Sequence, residues 1–256
     1  MQIGTARPLD AELQGVPHYF LGNTSIDTPF NAGDYEREAL TLLDSLFAKQ
    51  ENVVLCGGTG LYINALCNGL DAFPEVTEAI KNEVHRDFEA KGFAFLQAEL
   101  AEKDPDYYRE ADINNLMRVR RAVEVCRASG KPYSSFKTQQ AKKRAFSTLK
   151  IGINWEKRAD LYHRIENRMD IMLENGLLDE VKSLYEKRQL STLNTVGYSE
   201  FFDFLDGKTD FNTAKILAKQ HSRNYAKRQL TWFRRDEAIN WFAATPDLIA
   251  KVLAFL

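Results

Sequence analysis

A glycine-rich run, Gly57-Gly58-Thr59-Gly60, stands between an apolar stretch and a segment with helical periodicity. A turn of this kind places backbone N–H groups at the start of a helix, where unpaired donors and the helix dipole favour anions. Thr59 adds a hydroxyl at the same point. Glycines also allow a chain to reverse tightly without any ligand. The run therefore indicates either an anion site or a tight reversal.

A complete phosphate-binding loop is not found in these 256 residues. Gly207-Lys208-Thr209 has the ending of such a loop, but Phe202 stands where the leading glycine is needed. The tripeptide also follows a helical pattern and not a strand. We predict that Gly207 ends a helix.

Two arginines four residues apart, Arg164 and Arg168, are predicted to share one face of a helix. A pair of guanidinium groups can hold a phosphate through bidentate hydrogen bonds. The alternative is that they pair with nearby acids such as Asp160. The spacing alone does not decide between these interpretations.

Charge is unevenly distributed along a chain whose net charge is −2. Residues 71–112 have 12 acidic and 5 basic side chains, whereas residues 114–150 have 10 basic side chains and one acid, Glu124. Within the basic part, Arg118 and Arg121 are predicted to project away from the apolar helix face that contains Val119. They are then free for phosphate contacts, which give salt-dependent affinity without reading sequence. A solvated basic surface is the alternative.

A second basic stretch, residues 215–235, has 7 basic side chains and no acid. Lys219, Arg223 and Lys227 recur at helical spacing, and aromatic residues such as Trp232 and Phe233 are interleaved with arginines. Aromatic rings and guanidinium planes suit unstacked RNA bases. The same two aromatic residues fit a hydrophobic core equally well.

Composition excludes several other classes. No apolar run approaches the roughly 20 residues of a membrane span, and the N-terminus lacks a signal-peptide core. The 3 cysteines form no CxxC pair, which is typical of reduced thiols in the cytoplasm. The 4 histidines and the cysteines show no metal-ligand spacing, so no protein-bound metal site is expected, and no Ser/His/Asp arrangement is evident.

The periodicities predict an α/β core with an inserted helical domain. The predicted core comprises residues 1–73 and 146–256, which include the C-terminal helices. The predicted insert comprises residues 74–145. Strands are predicted at 52–56, 147–155 and 238–242. Helices are predicted at 34–50, 79–91, 93–103, 114–129, 134–140, 157–175, 177–188, 198–205, 213–235 and 246–255. Asn212 is the predicted N-cap of the longest helix, and Gly176 is predicted to end the helix at 157–175.

Nine short motifs, in order along the chain, resemble those of the tRNA dimethylallyltransferases. They are Ile3-Gly4-Thr5-Ala6-Arg7-Pro8, Gly15-Val16-Pro17-His18, Ala32-Gly33-Asp34-Tyr35, Gly57 to Tyr62, Arg121-Ala122-Val123-Glu124-Val125, Ser129-Gly130-Lys131-Pro132, His163-Arg164-Ile165, Val196-Gly197-Tyr198, and Ala226 to Arg234. Each motif is short, but together they span residues 3–234.

The resemblance implies a P-loop-NTPase-like parallel sheet core, incomplete at the N-terminus, with an inserted helical domain. It implies transfer of a dimethylallyl group from dimethylallyl diphosphate to the exocyclic amine of the adenosine 3′ of the tRNA anticodon. Mg²⁺ assists the diphosphate in the family. The partners implied are the tRNA anticodon stem-loop and dimethylallyl diphosphate, with no membrane, and a monomer is the default expectation.

The resemblance also assigns roles to residues. Thr59 matches the threonine beside the target nucleotide, and Arg168 matches the arginine that reaches the diphosphate. The tRNA contacts implied are Lys81, Met117, Arg118, Val119, Arg120, Arg121, Asn194, Thr195, Val196, Gly197, Tyr198 and Ser199. Contacts with the diphosphate or tRNA are further implied for Arg164, Lys227, Arg228, Gln229 and Arg234.

The sequence departs from the family pattern in one respect. In the family a P-loop and an Asp-Ser segment precede the motif that matches Ile3 to Pro8, and the aspartate is the proposed general base. Neither occurs in these 256 residues, which predicts a shortened chain with little or no transferase activity alone. The alternative is a non-catalytic tRNA-binding protein that has lost the donor site. An unrelated nucleotide kinase is disfavoured because such a kinase needs a phosphate loop.

Overall fold

The computed structural model describes residues 1–138 and 140–256. The regular elements in this part of the chain are α1 (Ala32–Phe47), α2 (Gly60–Asn68), α3 (Glu78–Lys91), α4 (Phe93–Lys103), α5 (Pro105–Glu110), α6 (Leu116–Ser129), β1 (Lys150–Asn154), α7 (Arg158–Glu174), α8 (Leu177–Ser183), α9 (Ser199–Leu205), α10 (Phe211–Phe233), β2 (Ile239–Ala243) and α11 (Leu248–Phe255). Short 3-10 turns lie at Asp10–Leu13, Tyr133–Phe136, Tyr185–Lys187 and Ser191–Leu193.

The chain forms two compact units. One contains residues 1–66 and 146–256, which we call the core unit, and the other contains residues 67–145, which we call the helical unit. No helix within the described residues combines the length and the apolar character that a membrane span requires.

The helices of the core unit pack around a cluster of buried apolar side chains. Tyr198 and Phe201 are fully buried here, beside Leu177 and Val181 of α8 and Ala214 of α10. Small alanines on α10 let that helix approach α9 closely. This cluster fixes α7 to α10 relative to one another.

The sheet of the core unit is parallel, and among the described residues it consists of β1 and β2. Lys150 lies opposite Ile239, and Asn154 lies opposite Ala243. Both strands were predicted from their apolar and β-branched residues, and the structure confirms them within a few residues.

The predicted strand at residues 52–56 is wrong. This segment has an extended, irregular backbone, and the side chain of Val54 is 90% exposed. A β-branched apolar run has the composition of a strand, but a strand forms only where another strand completes its hydrogen bonds. No such partner lies beside residues 52–56 within the described part of the chain.

The helical unit packs α3, α4, α5 and α6 around Val84, Leu96, Leu100, Val119 and Val123. Local signals fix the helix ends. The Thr77 hydroxyl accepts a hydrogen bond from Ile80 N at the start of α3, and Asn115 accepts one from Arg118 N at the start of α6. Gly130 ends α6 with φ of 66°.

Two helix predictions differ clearly from the structure in extent, and one helix was not predicted. Residues 133–136 form a 3-10 turn where a helix was predicted over 134–140, of which Gln139 lies outside the described residues. The predicted helix at 177–188 ends at Ser183, and a 3-10 turn follows. The helix α5 was not predicted; Asp104 caps it, and proline suits its first position.

The predicted N-cap of α10 is also wrong. Asp210, and not Asn212, caps this helix, since the Asp210 carboxylate accepts a hydrogen bond from Thr213 N at 3.0 Å. Either residue type can cap a helix, and the tertiary structure selects the earlier one. Gly207, by contrast, has φ of +72° just after α9, as expected for a residue that ends a helix.

Candidate functional site

The glycine turn leads directly into α2. The carbonyl of Thr59 accepts hydrogen bonds from Tyr62 N at 3.0 Å and Ile63 N at 3.2 Å, which begins the helix. The Thr59 side chain is exposed. Within the described residues, the N–H groups of Gly57, Gly58 and Thr59 have no hydrogen-bond partner. The turn therefore offers three backbone donors and one hydroxyl at the positive end of a helix.

The C-terminal half of α10 packs tightly on this turn. Gln229 Nε2 donates a hydrogen bond to the carbonyl of Gly58 at 2.7 Å. A Cβ atom at Gly58 would lie 2.0 Å from that nitrogen, and one at Gly60 would lie 2.2 Å from the Trp232 ring. The Trp232 ring therefore leaves no room for a side chain at Gly60, whereas a side chain at Gly58 would displace the end of Gln229 from the turn. For Gln229, implied above as a diphosphate or tRNA contact, the structure shows a bond to the turn itself.

Aromatic residues that were not predicted support the start of α2 from its other side. The Tyr62 hydroxyl donates a hydrogen bond to the carbonyl of Phe30 at 3.2 Å, and the rings of Tyr35 and Tyr62 lie 5.1 Å apart. Burial, together with the nearby carboxylate of Asp34, raises the pKa of Tyr62. The motifs that contain these residues gave no indication that they contact one another.

Arg164 and Arg168 lie on one face of α7, as predicted. Neither forms an ion pair within the described residues, so the alternative pairing with Asp160 is not formed. The Arg164 guanidinium lies 5.7 Å from the centroid of the Trp155 ring. Partial desolvation and the charge of Arg164 lower the pKa of Arg168. Two adjacent guanidinium groups without a carboxylate give a local excess of positive charge that suits an anion.

The basic stripe of α10 is largely used within the protein. Lys215 and Lys219 both pair with Asp170 of α7, at 2.8 and 2.7 Å, and Arg223 pairs with Glu166. Lys219 and Arg223 are therefore paired within the protein, and only Lys227 of this stripe is without an ion pair among the described residues. A basic face is not solvated when an adjacent helix presents carboxylates to it. These pairs instead attach α10 to the helix that contains Arg164 and Arg168.

Further along α10, three of the implied contact residues remain exposed. Lys227, Arg228 and Arg234 have no ion pair within the described part of the chain. The Arg228 guanidinium lies 5.8 Å from the centroid of the Tyr225 ring. One helix thus positions the glycine turn, contacts α7 and presents free cations at its C-terminal end.

The segment from Asn194 to Ser199 connects a 3-10 turn to α9 and has an exposed side and a buried side. The side chains of Asn194 and Thr195 are exposed, and Val196 and Ser199 are partly buried. Gly197 is buried, and its N–H donates to Glu200 at 2.8 Å. The Tyr198 side chain is fully buried and its hydroxyl donates to Glu180. The Tyr198 ring is therefore not available for contact with RNA in this conformation.

In the helical unit, the N-terminal turn of α6 presents an exposed surface. Met117 is 70% exposed, and Arg118 is exposed without an ion pair among the described residues. Arg120 and Arg121 share the carboxylate of Glu124, at 3.0 and 3.9 Å. The Val119 side chain is buried in the core of the unit.

Lys81, the remaining implied contact, lies on α3 and pairs with Glu78 at 2.6 Å. The pair is exposed and short in sequence separation, so it restrains Lys81 weakly. Among the described residues there is no cluster of three or more histidine, cysteine, aspartate or glutamate side chains that could hold a metal ion.

Comparison with known proteins shows the family of the chain. The family model described as IPP transferase (IPPT) matches residues 1–236. The chain belongs to the IPP transferase family. A tRNA dimethylallyltransferase from Cytophaga hutchinsonii is 46% identical over 256 residues, which are 100% of this chain and 83% of that protein. A tRNA dimethylallyltransferase from Bacteroides thetaiotaomicron is 44% identical, covering 100% of this chain and 82% of that protein.

Solved structures of IPP transferases show the same fold. The tRNA isopentenylpyrophosphate transferase of Bacillus halodurans is 33% identical, with a TM-score of 0.68, and covers 100% of this chain and 81% of that chain. A eukaryotic dimethylallyltransferase acting on tRNA is 24% identical, with a TM-score of 0.80, and covers 99% and 67% respectively. The latter supports the fold alone. These matches confirm the fold class and the family that the motifs predicted.

Proposed function

We propose that this chain transfers a dimethylallyl group from dimethylallyl diphosphate to the exocyclic amine of the adenosine 3′ of the tRNA anticodon. The observation that carries the proposal is the family match over residues 1–236, in which relatives covering the full chain are tRNA dimethylallyltransferases. The geometry of the core unit adds independent support.

In this reaction the exocyclic nitrogen forms a bond to C1 of the dimethylallyl group while the C1–O bond to the diphosphate breaks. The leaving diphosphate gains negative charge, and the nitrogen loses a proton. Arg164 and Arg168 suit the diphosphate because they are adjacent cations without an internal carboxylate. Donors already in place for developing charge are a main source of catalysis.

The glycine turn suits the other side of the reaction. Thr59 presents its hydroxyl beside the unpaired N–H groups of Gly57 and Gly58, so this turn can bind the target nucleotide. Gln229 and Trp232 fix its backbone from behind. A base in a stem-loop has to leave its stack to reach such a position.

Exposed cations and polar side chains suit the tRNA backbone. Arg118, with Met117 beside it, presents an unpaired guanidinium from the helical unit, and Asn194 and Thr195 present polar groups from the core unit. Contacts of this type position a nucleic acid without reading its sequence. Lys227, Arg228 and Arg234 are further candidates.

A magnesium ion that accompanies the diphosphate is part of the proposal. Mg²⁺ in phosphate-transferring sites is held by one or two carboxylates and by the phosphates themselves. The described residues provide no cluster of three protein ligands for it. No step is therefore assigned to the ion.

The test is a transfer assay with an anticodon stem-loop RNA, radiolabelled dimethylallyl diphosphate and Mg²⁺. We expect label in the RNA, at the adenosine 3′ of the anticodon after nuclease digestion. RNA in which inosine replaces that adenosine is the control.

The proposal fails if the RNA is not labelled. Binding of the RNA without transfer would establish the non-catalytic alternative. Label at a different nucleotide would overturn the assigned position.

A further inference from the structure

One carboxylate in the core unit, that of Glu180 on α8, holds the first turn of the chain. Glu180 Oε2 accepts hydrogen bonds from Gln2 N at 2.7 Å and Ile3 N at 2.9 Å, and Oε1 accepts one from Gly4 N at 3.1 Å. Three consecutive N–H groups on one carboxylate form a restrained anion-binding turn. The N-terminal backbone is thereby attached to α8.

The same carboxylate accepts a hydrogen bond from the hydroxyl of Tyr198. The Tyr198 ring is fully buried, and it lies so close to Gly4 that a Cβ there would be 2.4 Å from the ring. The hydrogen bonds from Tyr198 and from residues 2–4 outweigh burial and lower the pKa of Glu180. Tyr198 is the next-to-last residue of the segment Asn194–Ser199, and it therefore connects this segment to the N-terminal turn.

The buried side of that segment has a second carboxylate. Glu200 is buried. Its carboxylate accepts a hydrogen bond from Gly197 N at 2.8 Å and lies 2.5 Å from Nδ1 of His221 on α10. Gly197 has φ of +90°, a conformation that favours glycine. Both carboxylates bind on the inner side. Asn194 and Thr195 are exposed on the outer side, where Asn194 Oδ1 accepts a hydrogen bond from Ser199 Oγ at 3.2 Å.

We propose that Glu180 and Tyr198 are positioning residues that fix the segment Asn194–Ser199 in one conformation, in which Asn194 and Thr195 contact the tRNA backbone. The inference rests on the proposed function and names the residues that prepare its RNA surface. An amide and a hydroxyl suit the phosphate and ribose groups of RNA. When the segment is held, a larger fraction of molecules is competent to bind, and the apparent dissociation constant falls accordingly.

The test is a double-mutant cycle with Glu180→Gln, Tyr198→Phe and the double variant in the full chain. The dissociation constant for an anticodon stem-loop RNA is measured by fluorescence anisotropy, and that for dimethylallyl diphosphate by calorimetry. We expect each single change to raise the RNA dissociation constant about tenfold, with the double variant no weaker than the weaker single variant. Affinity for dimethylallyl diphosphate stays within about twofold, which a general loss of folding would not allow.

Two further variants test the proposal even if the substitutions at the buried residues prevent folding. Glu186→Gln removes the same charge from an exposed position nearby and is expected to leave RNA binding unchanged. Asn194→Ala combined with Thr195→Ala removes the exposed side chains with the buried hydrogen bonds intact, and is expected to weaken RNA binding about tenfold.

Additive effects in the cycle, a parallel loss of affinity for dimethylallyl diphosphate, or full RNA affinity in the Asn194/Thr195 variant would each overturn the inference. If the wild-type chain binds no RNA, the proposed function itself has failed. If the wild type binds RNA and all variants bind equally, only the positioning role is wrong.

Discussion

The two ends of α6 show opposite uses of arginine. At its C-terminal end, Arg127 contacts Glu83 and Asp87 of α3 at 2.7 Å each and Glu99 of α4 at 2.5 Å. These contacts raise the pKa of Arg127. At the N-terminal end, Arg118 is exposed and has no ion pair among the described residues. The first arginine attaches helices to one another, and the second is available to a ligand.

The core unit repeats this difference. Lys219 of α10 is held by Asp170, whereas Arg168, two residues before that aspartate on α7, has no carboxylate partner within the described residues. Asp170 has its pKa lowered by Lys215 and Lys219. Positive charge in the sequence thus divides into residues that stabilise the protein and residues that suit an anionic substrate. Four substitutions test this division.

The largest effect is expected from Arg127→Met, which removes the cation that Glu83, Asp87 and Glu99 share. Glu83 then has no cation among the described residues, and Asp87 and Glu99 keep only Lys91 and Lys103. We expect the substitution to destabilise the helical unit by about 3 kcal/mol. All 3 tryptophans lie in the core unit, so tryptophan fluorescence reports that unit and circular dichroism reports both. The helical unit should then unfold at a lower urea concentration, seen as a shift in the circular dichroism signal. The unfolding midpoint followed by tryptophan fluorescence should stay unchanged.

Arg118→Met is the matched control in the same helix, and its unfolding should coincide with that of the wild type. Equal destabilisation by the two variants would remove the distinction between the ends of α6.

Arg168→Ala should weaken binding of dimethylallyl diphosphate without affecting stability. Loss of one charged hydrogen-bonding group costs about 2–3 kcal/mol, roughly a 100-fold rise in the dissociation constant. Calorimetric titration measures it, and Arg158→Ala, an exposed arginine on the same helix, is the control. An unchanged dissociation constant in the Arg168 variant would remove this residue from the diphosphate site.

Arg118→Ala should weaken binding of an anticodon stem-loop RNA about tenfold and reduce the slope of log K against log salt by about 1. Arg121→Ala should have a smaller effect because Arg121 is 3.9 Å from Glu124. Anisotropy titrations between 50 and 200 mM salt, about the range over which such contacts weaken, give both quantities. The reverse order of the two effects would contradict the role of free charge.

The smallest effect is expected from Asp170→Asn, which should destabilise the core unit by about 1 kcal/mol at neutral pH, since the pair is partly exposed. The pKa of Asp170 is lowered in the folded state, so its contribution is present above the unfolded value of about 4 and disappears as pH falls through the lowered pKa. Urea unfolding followed by tryptophan fluorescence, at neutral pH and at the lowest pH where the protein remains folded, measures the difference. Asp179→Asn, an exposed pair with Lys182, is the control.

Local signals in the sequence were sufficient for most helices. The start of α1 illustrates why. The side chain of Asn31 accepts hydrogen bonds from Gly33 N and Asp34 N, and the carboxylate of Asp34 accepts one from Asn31 N. Four neighbouring residues therefore fix the start of this helix. The apolar spacing of the next residues then determines which face is buried. Such information is contained within one or two helical turns.

The strand predicted at residues 52–56 failed because a strand depends on partners far away in sequence. The internal pairing of the basic stripe of α10 could not be predicted for a related reason. The carboxylates of Asp170 and Glu166 that pair with it lie about 50 residues earlier, and nothing in α10 itself indicates them.

By itself the sequence determined the family, the fold class and most helix boundaries, and it proposed residues for the site. These follow from short motifs and from periodicity, which act over a few residues. The tertiary structure decided which of the cations are ion-paired, that Tyr198 and Gln229 hold the N-terminal turn and the glycine turn, and why Gly4 and Gly60 have no side chain. Each of these depends on contacts between residues 18 to nearly 200 positions apart, and such distances become short only when the chain has folded.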